Sequence, residues 1–193
     1  MHIKMSKYFL SIFLIVSFLI KASSNESMEI PATTQIPIFL KILSFDRKLN
    51  ERSGGELNML IVYQGNFLSS QLASEEVNDA LIELSIKKVE GIPVRFYYID
   101  LDESDLLEAV IKYKINLIYI CPLRGISMGN ITSICREKSI LSFTGVSSYV
   151  ESGISVGLEL RNDRPQIIIN LTAAKAEGAD FSSQLLKLSK VIE

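Results

Sequence analysis

Short apolar runs of strand length alternate with helical segments through the middle of the chain, and this alternation constrains the fold more than any other feature. Each run is bounded by turn residues and is apolar at most positions, which is typical of a strand buried on both faces. Strands alternating with helices form a parallel sheet with helices on both faces, so the sequence predicts a three-layer α/β fold with a mostly parallel sheet. Strands are predicted at residues 57–63, 94–99, 117–121 and 140–144, and helices at residues 33–50, 70–87, 100–112 and 130–138.

The segment that follows the fourth strand changes to a two-residue period. Residues 154–160 alternate apolar and polar side chains, which predicts a strand with one buried face. Asn162 and Asp163 are turn residues, and Pro165 stands at the start of the apolar run at residues 166–169, where a strand tolerates proline. Two such runs around a short polar turn predict an antiparallel hairpin that extends the sheet.

Two helices are predicted after the hairpin. Asn170 is placed to cap a helix over residues 171–177, and Gly178 would end that helix in the left-handed conformation. Asp180 is the predicted cap of the last helix. The apolar residues of that helix fall on one side at helical spacing, namely Phe181, Leu185, Leu188 and Ile192.

Two motifs in this C-terminal part carry a resemblance to a known family. Residues 169–178 read I-N-L-x-A-A-x-x-x-G, and residues 182–191 read S-S-x-L-L-x-L-x-x-V. Together with the preceding hairpin, they resemble the C-terminal signature of the YfiR/HmsC-like family of periplasmic proteins. The resemblance extends over most of the chain and weakens toward the N-terminus. The motif residues themselves serve packing and capping, so they indicate a family without indicating an activity.

The resemblance implies a non-enzymatic periplasmic regulator. Such a protein would bind an inner-membrane diguanylate cyclase or a sensor kinase and restrain it, and with a cyclase as partner cyclic-di-GMP synthesis would fall. No cofactor is implied. The chain has only two cysteines, fewer than the best-known relative, so the resemblance does not extend to redox control through disulfides.

The N-terminus has the pattern of a secretory signal peptide. Lys4 and Lys7 precede an uncharged apolar run at residues 8–20, and small residues at 22–24 follow. The run is shorter than the roughly 20 residues that a membrane span needs, although an uncleaved anchor is the alternative. Cleavage near Ser24 would leave a single domain at residues 25–193, exported to the periplasm and without stable membrane insertion.

Composition narrows the classes of partner. Removing residues 1–24 removes three lysines and no acidic residue, which leaves 17 basic and 22 acidic side chains and a net charge of −5. A mildly acidic domain lacks the electrostatic footprint of a nucleic-acid-binding protein. The sequence is compatible with a homodimer as well as with a monomer.

The two cysteines are predicted to be buried thiols. Cys121 ends a strand, and Cys135 lies near the far end of the following helix. Because a crossover helix runs back along the sheet, their Cα atoms would lie beyond the roughly 7 Å that a disulfide tolerates. A disulfide is the alternative, since paired cysteines of exported proteins often bond.

The sequence predicts no catalytic residues and no metal site. The only histidine, His2, lies in the predicted signal peptide, which excludes imidazole-based catalysis and histidine-rich zinc sites from the mature chain. The acidic cluster at residues 100–105 is a candidate calcium site by its composition. An EF-hand loop starting at Asp100 would require glycine and glutamate where Asp105 and Ile111 stand, so helix capping is favoured.

Two surfaces are candidates for binding. A partner protein would contact the hairpin turn and the segment before the hairpin, through Tyr149, Glu151, Arg161, Asp163 and Arg164. In the alternative, a single-lobe module binding a small ligand, Arg124 and Ser127 of the loop at residues 122–129 would hold an anion at the carboxyl end of the sheet. The ordinary alternatives are solvated turn charge and a plain connecting loop.

Overall fold

The computed structural model describes residues 27–193, and the predicted signal peptide at residues 1–24 lies outside that range. One sheet of eight strands occupies the centre of the described chain. The strands are β1 (Leu57–Tyr63), β2 (Lys88–Val89), β3 (Ile92–Asp100), β4 (Leu117–Ile120), β5 (Leu141–Thr144), β6 (Val156–Arg161), β7 (Arg164–Asn170) and β8 (Lys190–Ile192).

Eight helices connect or flank these strands within the described range. They are α1 (Ala32–Leu43), α2 (Leu49–Ser53), α3 (Leu68–Leu84), α4 (Leu106–Lys112), α5 (Met128–Glu137), α6 (Ser148–Glu151), α7 (Leu171–Ala176) and α8 (Ser183–Leu188).

The strand order confirms the predicted α/β fold with its mostly parallel sheet. The order is β2-β3-β1-β4-β5-β6-β7-β8. The five strands from β3 to β6 in this order are mutually parallel, whereas β6 and β7 form the antiparallel hairpin. The chain starts in the middle of the sheet at β1, extends it on one side with β3 and on the other with β4, and so has the doubly wound arrangement.

Apolar packing on both faces of the sheet explains why the first strands are continuous apolar runs. Side chains of a strand point alternately to opposite faces. In β1, Met59 and Ile61 join the core on the side of α1, while Leu60 and Val62 join the core on the side of α4 and α5. On the first side, the ring of Phe39 contacts the rings of two strand residues at centroid distances of 5.9 and 5.3 Å, those of Tyr119 and Phe143.

The helix predicted at residues 33–50 is interrupted. α1 ends at Leu43 and α2 begins at Leu49. Between them lies Asp46, whose Oδ1 accepts hydrogen bonds from the backbone N–H groups of Lys48 and Asp180, while its Oδ2 accepts from Arg52 Nε. The chain turns here because a buried carboxylate needs these partners, and such tertiary contacts override a helical pattern.

The prediction for the last helix is wrong at both ends. Ser182 and not Asp180 caps α8, since the Ser182 hydroxyl accepts from Leu185 N–H. α8 ends at Leu188, whose side chain is 66% exposed, and Ile192 belongs to β8. β8 forms because β7 would otherwise present unpaired backbone groups along its outer side, and pairing with them outweighs the helical spacing of the apolar residues.

Other local predictions are confirmed. The Asn170 side chain accepts a hydrogen bond from Ala173 N–H at 2.9 Å and caps α7, and Gly178 adopts φ +81° at the end of that segment. Asp105 caps α4 through Glu108 N–H, as the capping interpretation of the acidic cluster requires. Cys121 and Cys135 are free and buried, and burial raises the pKa of both thiols.

Candidate functional site

The hairpin projects beyond the rest of the sheet. β6 pairs with β5 only at Val156 and Gly157, whereas its pairing with β7 continues to the turn. We call residues 158–167 the arm. At about 3.3 Å per residue, the four residues from Leu158 to Arg161 carry the arm roughly 13 Å past the last residue that pairs with β5.

The tip of the arm is a tight, charged turn. Asn162 and Asp163 have φ angles of +50° and +59°, the left-handed conformation that two-residue hairpin turns require. Arg161, Asp163 and Arg164 are exposed. Arg161 Nη1 makes a long contact with Gln166 Oε1 at 3.5 Å, which holds the guanidinium group only weakly. The tip therefore offers two cations and one anion to a partner.

The two faces of the arm differ in character. Leu160 lies opposite Pro165, and both are exposed, with Leu160 at 44%. Leu188 at the end of α8 lines a cleft with Pro165 and with Arg161 and Arg164 of the tip. On the other face, the Lys190 ammonium lies 2.9 Å from the Glu159 carboxylate. The arginines of the tip belong to a residue type that is enriched in protein interfaces, whereas single exposed leucines are common on any surface.

Of the two candidate residues in α6, Tyr149 is buried and Glu151 is exposed. Tyr149 is buried at 6% exposure, so its side chain is not part of the surface, contrary to the expectation. The Tyr149 hydroxyl accepts a hydrogen bond from Leu123 N–H and donates one to the Leu123 carbonyl, and it thereby anchors the loop at residues 122–127. Glu151 is exposed and borders a small cleft with Glu159 and Lys190, on the polar face of the arm.

The loop residues of the alternative site lie at the carboxyl end of β4. The Arg124 guanidinium lies over the Phe67 ring, 4.7 Å from its centroid. The backbone N–H of Arg124 donates a hydrogen bond to Gln64 Oε1. Ser127 is exposed and precedes α5 without a side-chain capping bond. Arg124 and Ser127 are thus both accessible at the edge where doubly wound proteins bind ligands.

At this edge, the carboxylates of Asp100 and Asp102 accept hydrogen bonds from backbone N–H groups of the loops. The Asp100 carboxylate accepts from the backbone N–H groups of Gly65 and Asp102, and the Asp102 carboxylate accepts from Asn66 N–H. A Cβ atom on Gly65 would collide with the Asp100 carboxylate, so this close approach requires glycine. Within residues 27–193, no group of three or more His, Cys, Asp or Glu side chains is arranged to hold a metal ion.

A buried polar cluster at the root of the arm is the feature that sequence reasoning missed. The Glu177 side chain is fully buried, and its carboxyl group accepts from Ser142 N–H at 2.8 Å, from the Ser142 hydroxyl and from the Ser155 hydroxyl. Burial raises the Glu177 pKa to about 7, against hydrogen bonds from Ser155 and Ser142 and the charge of Arg52, which lower it. The available signal was Ser142, a serine inside a strand predicted to be buried on both faces, whereas Ser155 stood at a polar position of its predicted alternation.

A buried ion pair lies next to this cluster. Arg52 Nε is 3.3 Å from Asp46 Oδ2, and the two side chains are 3% and 0% exposed. Arg52 Nη1 also donates to the backbone carbonyls of Ser139 and Glu177. Through these bonds α2, the end of α5 and the end of α7 are joined by one guanidinium group.

The described chain is thus a doubly wound α/β domain with a projecting C-terminal hairpin, and sequence comparison identifies its class. A family model described as YfiR/HmsC-like matches residues 38–190, most of the chain, so the chain belongs to the YfiR/HmsC-like family. This membership supports a role as a periplasmic regulator rather than a catalyst. No curated protein is significantly similar in sequence.

Solved structures share the fold at low sequence identity. The chain is similar to an ABC domain from Streptococcus pneumoniae in complex with L-Trp, with a TM-score of 0.56, 14% identity, and 84% of this chain and 60% of that chain covered. A conserved domain protein from Vibrio cholerae gives a TM-score of 0.59 at 15% identity with the same coverage. The ligand-free, open form of a substrate-binding protein with adhesive properties from Clostridium difficile gives 0.51 at 15% identity, covering 76% of this chain and 57% of that chain.

These similarities establish the fold alone, because all three identities lie at or below 15%. The chain spans about 60% of the length of each of these structures. Across residues 27–193, no helix combines the length and the apolar character needed to cross a bilayer.

Proposed function

We propose that this protein binds a signalling protein of the inner membrane, a diguanylate cyclase or a sensor kinase, from the periplasmic side and restrains its activity. With a cyclase as the partner, binding lowers cyclic-di-GMP synthesis. Family membership supports the regulatory role. We assign the binding surface to the arm because the arm extends past the last residue paired with β5 and exposes Leu160 beside the charged tip.

The contact is proposed to be made by Arg161, Asp163 and Arg164 at the tip, with Glu151 at the border of the polar face. Tyr149 contributes indirectly, since its ring is buried and supports the loop behind α6. Restraint needs no chemistry in this chain. If the partner alternates between active and inactive arrangements, a protein that binds the inactive one more tightly shifts the population toward it.

The regulatory proposal is tested in the native host. Deleting the gene should raise intracellular cyclic-di-GMP several-fold, and restoring the full-length chain should lower it again. A variant with both tip arginines reversed, Arg161→Glu with Arg164→Glu, should be exported normally and fail to restore the low level. Charge reversal at exposed Glu83 on α3 is the matched control and should restore it. An unchanged cyclic-di-GMP level and an unchanged kinase output after deletion would refute the proposal.

A second candidate function is a single-lobe module that binds a small ligand. It is favoured by the fold shared with a substrate-binding protein and with an ABC domain whose structure holds L-Trp. Arg124 and Ser127 at the carboxyl edge would then contact the ligand. A single lobe cannot enclose a ligand between two domains, so affinity would be modest. A concentration-dependent rise in melting temperature with an amino acid, L-Trp included, that is lost in Arg124→Ala would support this candidate.

The exposed apolar face of the arm would also serve a homodimer of this chain. Sedimentation of the mature protein across a concentration series distinguishes a monomer from a homodimer. A dimer that persists in Leu160→Ser with Leu188→Ser would place the contact elsewhere.

A further inference from the structure

A cleft of about 720 Å³ lies at the amino edge of the sheet, opposite the edge that carries Arg124 and Ser127. Its walls come from α2, from the end of α7 and from the segments at the start of β1, β4 and β5. We call it the amino-edge cleft. Its volume is within the range of about 300–1,000 Å³ that is typical of small-molecule sites. Nearly all of its lining residues are polar or charged, so the ligand that fits it is polar.

Asn58 of β1 lines this cleft and keeps one polar atom without a partner. Its backbone N–H donates to Asn116 Oδ1 at 2.9 Å, and its backbone carbonyl accepts from Asn116 N–H at 3.1 Å. Its side-chain Nδ2 donates to the Lys114 carbonyl at 3.3 Å. The reversed orientation of the carboxamide would set two oxygen atoms against each other, so these contacts fix which way the side chain points.

The Asn58 side-chain oxygen is therefore an acceptor that the fold does not satisfy. Asn58 is 7% exposed, and its Oδ1 has no hydrogen-bond donor among residues 27–193. A buried acceptor without a donor is destabilising, and such atoms are rare in native proteins. A ligand in the cleft that brings a hydrogen-bond donor would satisfy it.

Two lysines give the cleft positive charge that the protein does not neutralise. Lys48 of α2 and Lys114 before β4 are exposed, line the cleft, and make no ion pair within the part of the chain that the structure describes. Among the acids of the lining, Glu51 is likewise exposed and outside these ion pairs. The free side chains of the cleft thus carry two positive charges and one negative charge, which favours an anionic ligand.

The other charged groups of the lining already have partners in the protein. Arg52 contacts the Asp46 carboxylate and two backbone carbonyls, and hydrogen bonds from two serines hold the Glu177 carboxyl group. Lys138 lies 2.8 Å from the Glu137 carboxylate, and Glu56 lies 2.8 Å from Arg95 Nε. These groups form the wall of the cleft, and the ligand contacts are left to Lys48, Lys114 and Asn58.

We propose that the amino-edge cleft binds a small anion that carries hydroxyl groups, namely a sugar phosphate or a sugar acid. Its phosphate or carboxylate group is held by the ammonium groups of Lys48 and Lys114, and one of its hydroxyl groups donates to Asn58 Oδ1. A neutral hydroxyl group suits Asn58 better than an ammonium group does, because the uncompensated charge of the cleft is positive. The other hydroxyl groups of such a ligand match the polar lining.

This site is separate from the arm and from the loop of Arg124 and Ser127. Binding in the cleft is a property of the isolated mature chain and does not depend on the proposed regulatory function. A failure of the ligand proposal therefore leaves the regulatory proposal unaffected, and the two failures are distinguishable.

The first measurement titrates isotopically labelled mature protein with glucose 6-phosphate, glycerol 3-phosphate, gluconate and galacturonate. Glucose lacks the anionic group, and inorganic phosphate and acetate lack the hydroxyl groups, so these three are the comparison probes. At least one of the four ligands should bind with a Kd below about 1 mM, roughly tenfold more tightly than every comparison probe. Its binding should shift the side-chain NH₂ resonances of Asn58. Weaker binding by all four, equal binding of inorganic phosphate or acetate, or an unchanged Asn58 side chain would overturn the proposal.

The second measurement repeats the titration with variants of the cleft. Lys114 has φ +50°, a conformation that favours glycine, so Lys114→Gly removes a charge without adding backbone strain. This variant should keep the melting temperature of the ligand-free protein and bind the tightest probe at least fivefold more weakly. Lys187→Gln, at an exposed lysine of α8 outside the cleft, is the control and should bind as the wild type does.

Asn58→Leu tests the hydroxyl contact. It removes the unpaired oxygen and should lower the affinity for the tightest probe to that for inorganic phosphate or acetate. A retained preference for the hydroxylated probe would contradict the assignment of Asn58. Should this variant fail to fold, Lys114→Gly still decides, since wild-type affinity in Lys114→Gly would overturn the site.

Discussion

The sheet from β3 to β5 and the C-terminal segment from β6 onward share an apolar core, which Val156, Ile169 and Leu185 join, but the second region also depends on buried polar groups. The first is an apolar sandwich in which residues such as Leu60 and Ile61 are fully buried on opposite faces. The second is fastened at its root by a buried carboxyl group and two serines, and next to it by the Arg52–Asp46 pair. Shortening an apolar side chain costs its buried area and a cavity, whereas removing one partner of a buried polar pair leaves the other group unsatisfied. The C-terminal segment therefore depends on buried polar partners in addition to apolar packing.

The largest effect should come from the apolar sandwich. Phe39 is 1% exposed and contacts Tyr119 and Phe143, so Phe39→Ala leaves a cavity and should lower the free energy of unfolding by about 4 kcal/mol. Urea denaturation of the mature protein measures it. Ile82→Ala, at a side chain 67% exposed, is the control and should change stability by less than about 0.5 kcal/mol. Similar losses for the two variants would mean that the core assignment is wrong.

The second largest effect on stability should come from the buried Arg52–Asp46 ion pair. Arg52→Ala leaves the Asp46 carboxylate buried without its cation and should destabilise the protein by about 3 kcal/mol. The matched control is Arg47→Ala, because Arg47 pairs with Asp180 at 3.2 Å but the two side chains are 59% and 48% exposed. That pair should contribute less than about 1 kcal/mol. The comparison between the two regions fails if the two arginine variants unfold at the same urea concentration.

A smaller and more local effect is expected behind α6. Tyr149→Phe removes the hydroxyl that holds Leu123 N–H, and an unpaired buried donor costs about 1–2 kcal/mol. Hydrogen exchange at the Leu123 amide should accelerate more than exchange in β1. Tyr98→Phe, at a side chain 38% exposed, controls for loss of a hydroxyl group. An unchanged Leu123 amide in Tyr149→Phe would show that this contact does not order the loop.

The smallest effect on stability should come from Leu188 of α8, which lies beside the arm. Leu188 is 66% exposed, so Leu188→Ala should change the free energy of unfolding by less than about 0.5 kcal/mol. The same variant should weaken partner binding if the arm is the contact surface. Stability from denaturation and recovery of the membrane partner in a pull-down separate these effects. A large loss of stability would assign Leu188 to the core instead.

The parts of the fold that follow from local pattern were predictable from sequence. β1 was predicted at the observed residues 57–63, and the capping by Asn170 and the hairpin turn at Asn162 and Asp163 follow from residue chemistry at short range. The interruption after α1 and the conversion of the last turn into β8 were not predictable. They depend on Asp46 meeting Arg52 and Asp180, and on β7 offering an edge, which are contacts between distant residues.

The candidate site was predicted only in part. Exposed tip charges were recognised because turns in hairpins are exposed. Tyr149 was misplaced because a tyrosine in a short helix gives no local sign of the loop that covers it. Glu177 was overlooked because a glutamate before a helix-ending glycine ordinarily faces solvent, and only the tertiary fold brings Ser142 and Ser155 against it.

The most direct test of the account is site-specific photo-crosslinking from the tip of the arm in the native envelope. A photoreactive residue in place of Asp163 should give an adduct with a cyclase or kinase of the inner membrane, identified by mass spectrometry. The same residue in place of Glu83, exposed on α3, should give none. Adducts of equal yield from both positions, or none from position 163 in a fully exported protein, would contradict the claim that the arm holds a membrane signalling partner.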